Sequence, residues 1–347
     1  TKLGWRDVVL LERKQLTCGT TWHAAGLVVT GLLPTENLTK LARDTRDLFA
    51  RLEEETGQPT GFTPVGYVSL ACTEARLEEH RRTTALARYC GVEVHEISPR
   101  EVKEMWPLAR TDDILAGFYC TQDGRTNPID TTMALAKGAR MGGVQIFEET
   151  RVTGILKEEG RAAGVVTDRG RIKAEYVVNC AGMWARQVGQ MAGVSVPLHA
   201  AEHYYLITDQ MEGLDPNRPI LEDPDRCAYY RDEVGGLLLG LFEPVAAPWG
   251  GPKPGGLGGI PETFCFDELP PDWDRMMPYL ERAMGRIPAL EDIGIHKMFN
   301  GPESFTPDNG FLLGESPELD NFFAVSYTHL TLPTTIPSWC CGGGGGG

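Results

Sequence analysis

Val8 to Leu27 reads VVLLERKQLTCGTTWHAAGL, and no other stretch narrows the choice of fold as much. An apolar run rich in β-branched residues closes on an acid, Glu12, then gives way to a loop of small and polar residues that carries Trp22-His23 and ends at Gly26. Such a run reads as a buried parallel strand. An acid at the end of the second strand of a dinucleotide-binding unit accepts hydrogen bonds from the ribose hydroxyls of an adenosine, and Glu12 has that place. An ordinary α/β strand carries the same pattern, and His23 taken alone reads first as a surface or satisfied core histidine.

A second strand of this kind is expected at Tyr176-Val177-Val178-Asn179-Cys180-Ala181-Gly182, running into a glycine and a helix from about Trp184. A strand-glycine-helix step lets backbone come close to a cofactor. Between the two strands the pattern predicts a helix over Asn37 to Glu55 stopped by Gly57, an alternating strand over Gly61 to Cys72 and a helix over Thr73 to Cys90. A strand over Val92 to Ile97 follows, then a helix opened by the capping box Ser98-Pro99-Arg100-Glu101. Asp123 to Pro128 reads as a turn into a helix ending at Gly142-Gly143, Val144 to Phe147 as a strand, and Arg151 to Glu175 as a β-meander broken at Glu159-Gly160 and Arg169-Gly170. Pro197 to Thr208 then reads as a long strand and Cys227 to Phe242 as a hairpin turning at Gly235-Gly236, the antiparallel sheet over which a substrate would lie. Glu243 to Glu262, rich in glycine and proline, is expected as an exposed loop, and Asp272 to Gly285 as a helix.

The 347 residues suffice for one large or two ordinary cores, and a formal net charge of -15 argues against a nucleic-acid surface and against anionic membranes. Apolar runs such as Gly235 to Phe242 are far shorter than the roughly 20 residues that span a bilayer. Nine cysteines without a CxxC pair outline neither a zinc framework nor a disulfide scaffold, and point to a reducing compartment. His199 and His203 lack a third ligand nearby in sequence, so no metal is expected. Thr1 to Asp7 reads as the last turn of a helix stopped at Gly4, with the strand and glycine-rich turn of a dinucleotide fold expected before it. Ser326 onward, ending in Cys-Cys and six glycines, reads as a non-native tail.

TTWHAAG, Cys180 to Ala185 (CAGMWA), EHYYLIT, GGLLLGLFEP and GPESFTPD together resemble the FAD-dependent dimethylglycine and sarcosine dehydrogenase family of the D-amino-acid oxidase superfamily. The resemblance implies an α/β fold: an FAD-binding Rossmann-like domain, its first βα unit missing, over residues 1–58, 122–196 and 297–325. An antiparallel-sheet substrate domain over 59–121 and 197–296 completes it, with 326–347 outside both. FAD is expected to be bonded covalently through His23, with Glu12, Thr21, Trp22, Gly26, Ala181, Gly182 and Trp184 around it. The implied reaction is oxidation of the N-methyl group of a secondary or tertiary amine, with His203 as a base, Tyr205 positioning, and Arg231 meeting a substrate carboxylate. Electrons would pass to an electron-transfer flavoprotein or to oxygen. The place would be the cytoplasm, or the mitochondrial matrix in a eukaryote. The other readings are a non-catalytic relative similar to the regulatory subunit of pyruvate dehydrogenase phosphatase, and an oxidase that uses oxygen directly.

Overall fold

The local signals set the helices. In the computed structural model, which describes residues 3–250, 260–308 and 310–326, helix Glu36–Thr56 starts where the Thr35 hydroxyl accepts from Leu38 N, and Gly57 ends it. Helix Glu74–Tyr89 is capped in the same way by Thr73, and Pro99–Met105 by the full Ser98/Glu101 capping box. Helix Pro128–Met141 is capped by the Asn127 side chain, which accepts from Ile129 N and Asp130 N. Each cap satisfies amide donors that have no intrahelical partner.

Two parallel strand pairs carry the first and second strands read from the sequence. Val9–Leu11 pairs with Gln145–Phe147, and Val177–Asn179 pairs with Phe322–Ser326, which Leu312–Glu315 extends antiparallel. The first strand is parallel but not buried: Val9 and Leu10 are 37% and 39% exposed, and among the described residues it has one neighbouring strand. Val178 is likewise exposed. The meander forms as read, from Val152–Glu158, Arg161–Thr167 and Gly170–Lys173. The tail from 327 lies outside the described residues.

Besides a short antiparallel pair, Leu27–Val28 with Gly124–Arg125, the remaining strands form one nine-stranded sheet. Its order runs Ala247–Pro248, His199–Gln210, Gly236–Leu241, Ala228–Glu233, Ile220–Asp223, Tyr67–Ala71, Ala116–Cys120, His95–Ile97, with Ile295–Phe305 along the other side of His199–Gln210. Tyr67–Ala71 is shorter than the expected Gly61 to Cys72 and buried throughout instead of alternating. Its Val68 and Leu70 join the core that holds Trp106, while Ala71 joins Leu77 and Ala87 beneath helix Glu74–Tyr89. The expected domain boundary between 296 and 297 falls inside Ile295–Phe305, which belongs to this sheet.

Strand His199–Gln210 divides the two faces. Tyr204 and Leu206 point into the main core with Tyr230, Leu239, Met276 and Leu280, packing helix Trp273–Arg286 onto the sheet. Each such fully buried side chain is worth roughly 1.5–3 kcal/mol. Tyr205 and Ile207 point the other way, onto Ala25 and Leu27 of the first loop. The period of two thus turns His203 and Tyr205 toward the loop that carries His23.

Candidate active site

The loop is held at both ends. At its start Glu12 N donates to Phe147 O at 2.9 Å, and the Glu12 carboxylate accepts from Lys14 N at 2.8 Å. Burial raises the Glu12 pKa, with the Lys14 amide pulling the other way. At its end Gly26 has φ +71° and its carbonyl accepts from Thr126 N at 2.8 Å; a Cβ there would lie 2.3 Å from Thr126 O. Beyond it the buried Asp123 carboxylate accepts from Thr30 N, the Thr30 hydroxyl and Gly31 N at 2.8, 2.5 and 3.3 Å.

Between these anchors Thr21–His23 makes one 3-10 turn that buries His23 and sets the Trp22 ring between Phe266 and Phe299. The second strand-turn closes against it. Gly182–Trp184 is a 3-10 turn after Val177–Asn179, and the Trp184 ring stacks under the Arg13 guanidinium at 4.2 Å and touches Gly19. Thr21, Trp22 and His23 therefore sit on the first turn, Gly182 and Trp184 on the second with Ala181 just before it, and Glu12 and Gly26 at the two ends of the loop. Buried Trp22 Nε1, His23 Nε2 and Trp184 Nε1, all on those turns, have no hydrogen-bond partner among the described residues. Buried polar atoms are normally paired, so these three fit a polar group such as FAD lying against the turns.

His23 faces the sheet. It lines a cavity of about 10 Å³, room for roughly one water, with Ala25, His203, Tyr205, Tyr229, Gly301 and Glu303. Register explains the set: His203 lies opposite Gly301, Ala201 opposite Glu303 and Tyr205 opposite Phe299. A Cβ on Gly301 would come within 2.4 Å of the His23 ring, so only glycine leaves room for the imidazole. Burial, with a smaller push from the His203 charge, lowers the His23 pKa to about 4, which leaves a neutral ring.

His203 Nδ1 lies 3.3 Å from Glu243 Oε2, and both side chains are buried, at 11% and 3% exposure. Burial opposes the imidazolium, but the Glu243 and Glu303 carboxylates outweigh it and push the His203 pKa up to about 9. Those carboxylates favour the imidazolium, which has no lone pair to offer, and so weigh against His203 as the base. Tyr205, stacked on Phe299 at 4.6 Å, keeps its phenol proton, since burial raises its pKa well above the ordinary value. Arg231 is engaged on two of its three nitrogens: Nε donates to Ala25 O at 3.0 Å, and Nη1 donates to Asp232 O and to the Glu233 carboxylate. It fastens the loop to the sheet.

Sequence reasoning missed Glu243, Gly301 and Glu303. Glu243 opens the stretch expected as an exposed loop, yet it is buried because Leu241 and Phe242 carry it into the sheet. A larger cavity of about 460 Å³, lined by Glu202, Trp249, Asp272 and Asn300 among others, lies behind the same strand. Adjacent strand residues point to opposite faces, so the sheet separates that cavity from His203. Among the described residues no three His, Cys, Asp or Glu side chains could hold a metal, and no helix is long and apolar enough to cross a membrane.

The profile of the family described as DAO, FAD dependent oxidoreductase, matches residues 1–329. Mitochondrial sarcosine dehydrogenase of Mus musculus is 40% identical over 328 residues, 93% of this chain and 35% of that protein. The mitochondrial pyruvate dehydrogenase phosphatase regulatory subunit of Mus musculus is 37% identical over 329 residues, 94% of this chain and 37% of that protein. The chain thus spans 35% and 37% of the length of these curated relatives. The crystal structure of L-proline dehydrogenase from P. horikoshii shares the fold, with a TM-score of 0.79 over 94% of this chain and 82% of that one at 24% identity. The architecture is the mixed α/β fold of FAD-dependent oxidoreductases, as the sequence implied.

Proposed function

Because this chain belongs to the DAO family of FAD-dependent oxidoreductases, we propose that it oxidises the N-methyl group of a secondary or tertiary amine such as sarcosine or dimethylglycine. FAD is linked through His23, and Glu12 meets its ribose. The observation that carries this reading is the neutral, buried His23 imidazole, whose Nε2 has no hydrogen-bond partner among the described residues. A neutral nitrogen without a hydrogen-bond partner keeps its lone pair for bonding to carbon. When bound, FAD supplies the acceptor for the two electrons and the hydrogen leaving the methyl carbon.

The protein's part is to set charge. The His203 imidazolium is placed to receive the carboxylate of an N-methylated amino acid, with the Tyr205 hydroxyl as a second donor. Hydride loss requires a neutral amine, and both burial and the His203 charge disfavour the ammonium form. Glu303, in the cavity lining, is the carboxylate near enough to take the proton. A cavity of about 10 Å³ takes a water and not an amino acid, so substrate binding displaces lining side chains. Electrons go on to an electron-transfer flavoprotein or to oxygen, in the mitochondrial matrix if the source is a eukaryote and in the cytoplasm otherwise.

The test uses the full-length protein. It is precipitated with acid, and flavin absorbance is followed in the pellet for wild type and His23→Ala. Flavin that stays with wild type, leaves the variant, and bleaches on adding sarcosine or dimethylglycine upholds the reading; peroxide release during turnover identifies oxygen as the acceptor. Flavin that is absent, or that never bleaches with any methylated amine, overturns it in favour of a non-catalytic regulatory protein.

A further inference from the structure

Cys18 lies on the loop before Thr21–His23, and Cys265 on the segment that crosses that loop from the sheet side. The two backbones are stitched together: Phe266 N donates to Cys18 O at 2.8 Å, and Arg13 Nη2 donates to Phe264 O at 3.2 Å. The Phe266 ring meets Trp22 edge to face at 6.5 Å. Cys265 is near enough to Cys18 to help hold its thiol protonated. They differ in access, since Cys18 is buried at 4% exposure and Cys265 is partly open to solvent. A disulfide needs its two backbones already close, and the bond from Phe266 N to Cys18 O brings these two together.

We propose that Cys18 and Cys265 form a reversible disulfide, an oxidation site that clamps the His23 loop to the segment around Phe264 and Phe266. The oxidant is hydrogen peroxide. The Cys265 thiolate attacks one peroxide oxygen, the O–O bond breaks, and hydroxide leaves with the second electron pair, giving a sulfenic acid on Cys265. The Cys18 thiol then gives up its proton and attacks the Cys265 sulfur, which expels its oxygen as water. In sum, two thiols and one peroxide become one disulfide and two waters, with two electrons passing from sulfur to oxygen. A low-molecular-weight thiol reverses the step by exchange. Burial, which raises the Cys18 pKa to about 11, keeps that thiol from reacting first and leaves it as the resolving partner. The site stands independently of the amine reaction.

The full-length protein is reduced, desalted and treated with one equivalent of hydrogen peroxide, then blocked with N-ethylmaleimide and digested with trypsin without reductant. Cleavage after Lys14, Lys40, Arg231 and Arg275 puts each thiol in a peptide with no other cysteine. The expected product is the cross-linked pair of peptides 15–40 and 232–275, with or without flavin on His23, while exposed Cys180 stays alkylated. In Cys18→Ser the cross-link is lost, and the sulfenic acid on Cys265, trapped with dimedone, rises at least fivefold. Alkylation of both Cys18 and Cys265 after peroxide, or an unchanged dimedone yield in Cys18→Ser, overturns the proposal. The peptide map of wild type is decisive even if the variant does not fold.

Discussion

Glu243→Gln isolates the charge that governs the cleft. With the carboxylate in place the His203 pKa stands at about 9, against 6.5 for an unperturbed histidine. Burial, with a smaller push from the His203 charge, takes His23 the other way, to about 4, so removing the Glu243 charge lowers the His203 pKa and leaves Glu303 as the remaining carboxylate that raises it. The gap from 9 to 6.5 corresponds to about 3 kcal/mol of preference for the imidazolium. At pH 7.5 the variant ring is neutral, and the substrate carboxylate loses a charge-assisted hydrogen bond worth about 1.5–3 kcal/mol. KM for a methylated glycine then rises by roughly 10- to 100-fold, since RT ln 10 is about 1.4 kcal/mol, while kcat at saturation changes little. The assay is steady-state turnover from pH 5.5 to 10. Wild-type KM stays flat and climbs above pH 9; in Glu243→Gln it is already high at pH 7.5 and recovers as pH falls below 6.5. The same pair acts on folding: a raised folded pKa contributes stability fully below pH 6.5 and loses it as pH rises through 9. A variant KM equal to wild type at pH 7.5, with the same pH profile, would refute a cationic His203 at the substrate.

Gly301→Ala forces a methyl to within 2.4 Å of the His23 ring; acid-stable flavin falls by more than half, and thermal unfolding reports a loss of about 1–3 kcal/mol. Asp123→Ala strands Thr30 N, the Thr30 hydroxyl and Gly31 N without their buried acceptor, and urea unfolding shows a loss of about 2–4 kcal/mol, larger than for a neutral hydrogen bond. Arg231→Ala frees the Ala25 carbonyl: flavin attachment slows, but KM for the amine stays within about threefold, far short of the tenfold that 1.4 kcal/mol of lost carboxylate binding would give. A tenfold rise in KM would return Arg231 to the substrate.

Features written in near neighbours along the chain were legible. The Ser98/Glu101 capping box forms as read, and the other expected helices start at Thr35, Thr73 and Asn127, whose side chains accept from amides two or three residues on. The turn at Glu159-Gly160, both at positive φ, was as plain. The family resemblance was legible too, because TTWHAAG folds into a turn whose spacing is short. The charge state of His203 was not, since it depends on Glu243, forty positions on, and on Glu303 across a strand pair. Phe299 to Asp308, with its Gly-Pro step, does not look like a strand. It becomes one as far as Phe305 because ten pairings with His199–Gln210 dictate its course, and as an edge strand it tolerates Pro302, which has no amide to give. Val9 and Leu10 mislead in the opposite sense, because apolar sequence cannot say whether anything covers it.

The nine-stranded sheet has a seam. Tyr67–Ala71 and Ile220–Asp223 are its one parallel pair among the described residues, and they join chain segments made far apart in time. On a ribosome adding about 5–20 residues per second, a strand buried on every residue waits about seven to thirty seconds for its neighbour. Until then its amides and carbonyls on that side face solvent as an open template for other chains. Nascent protein of this kind should depend on a holdase at half length, and refolding from denaturant should be slow and sensitive to concentration, because the pairing that closes the sheet is among the least local.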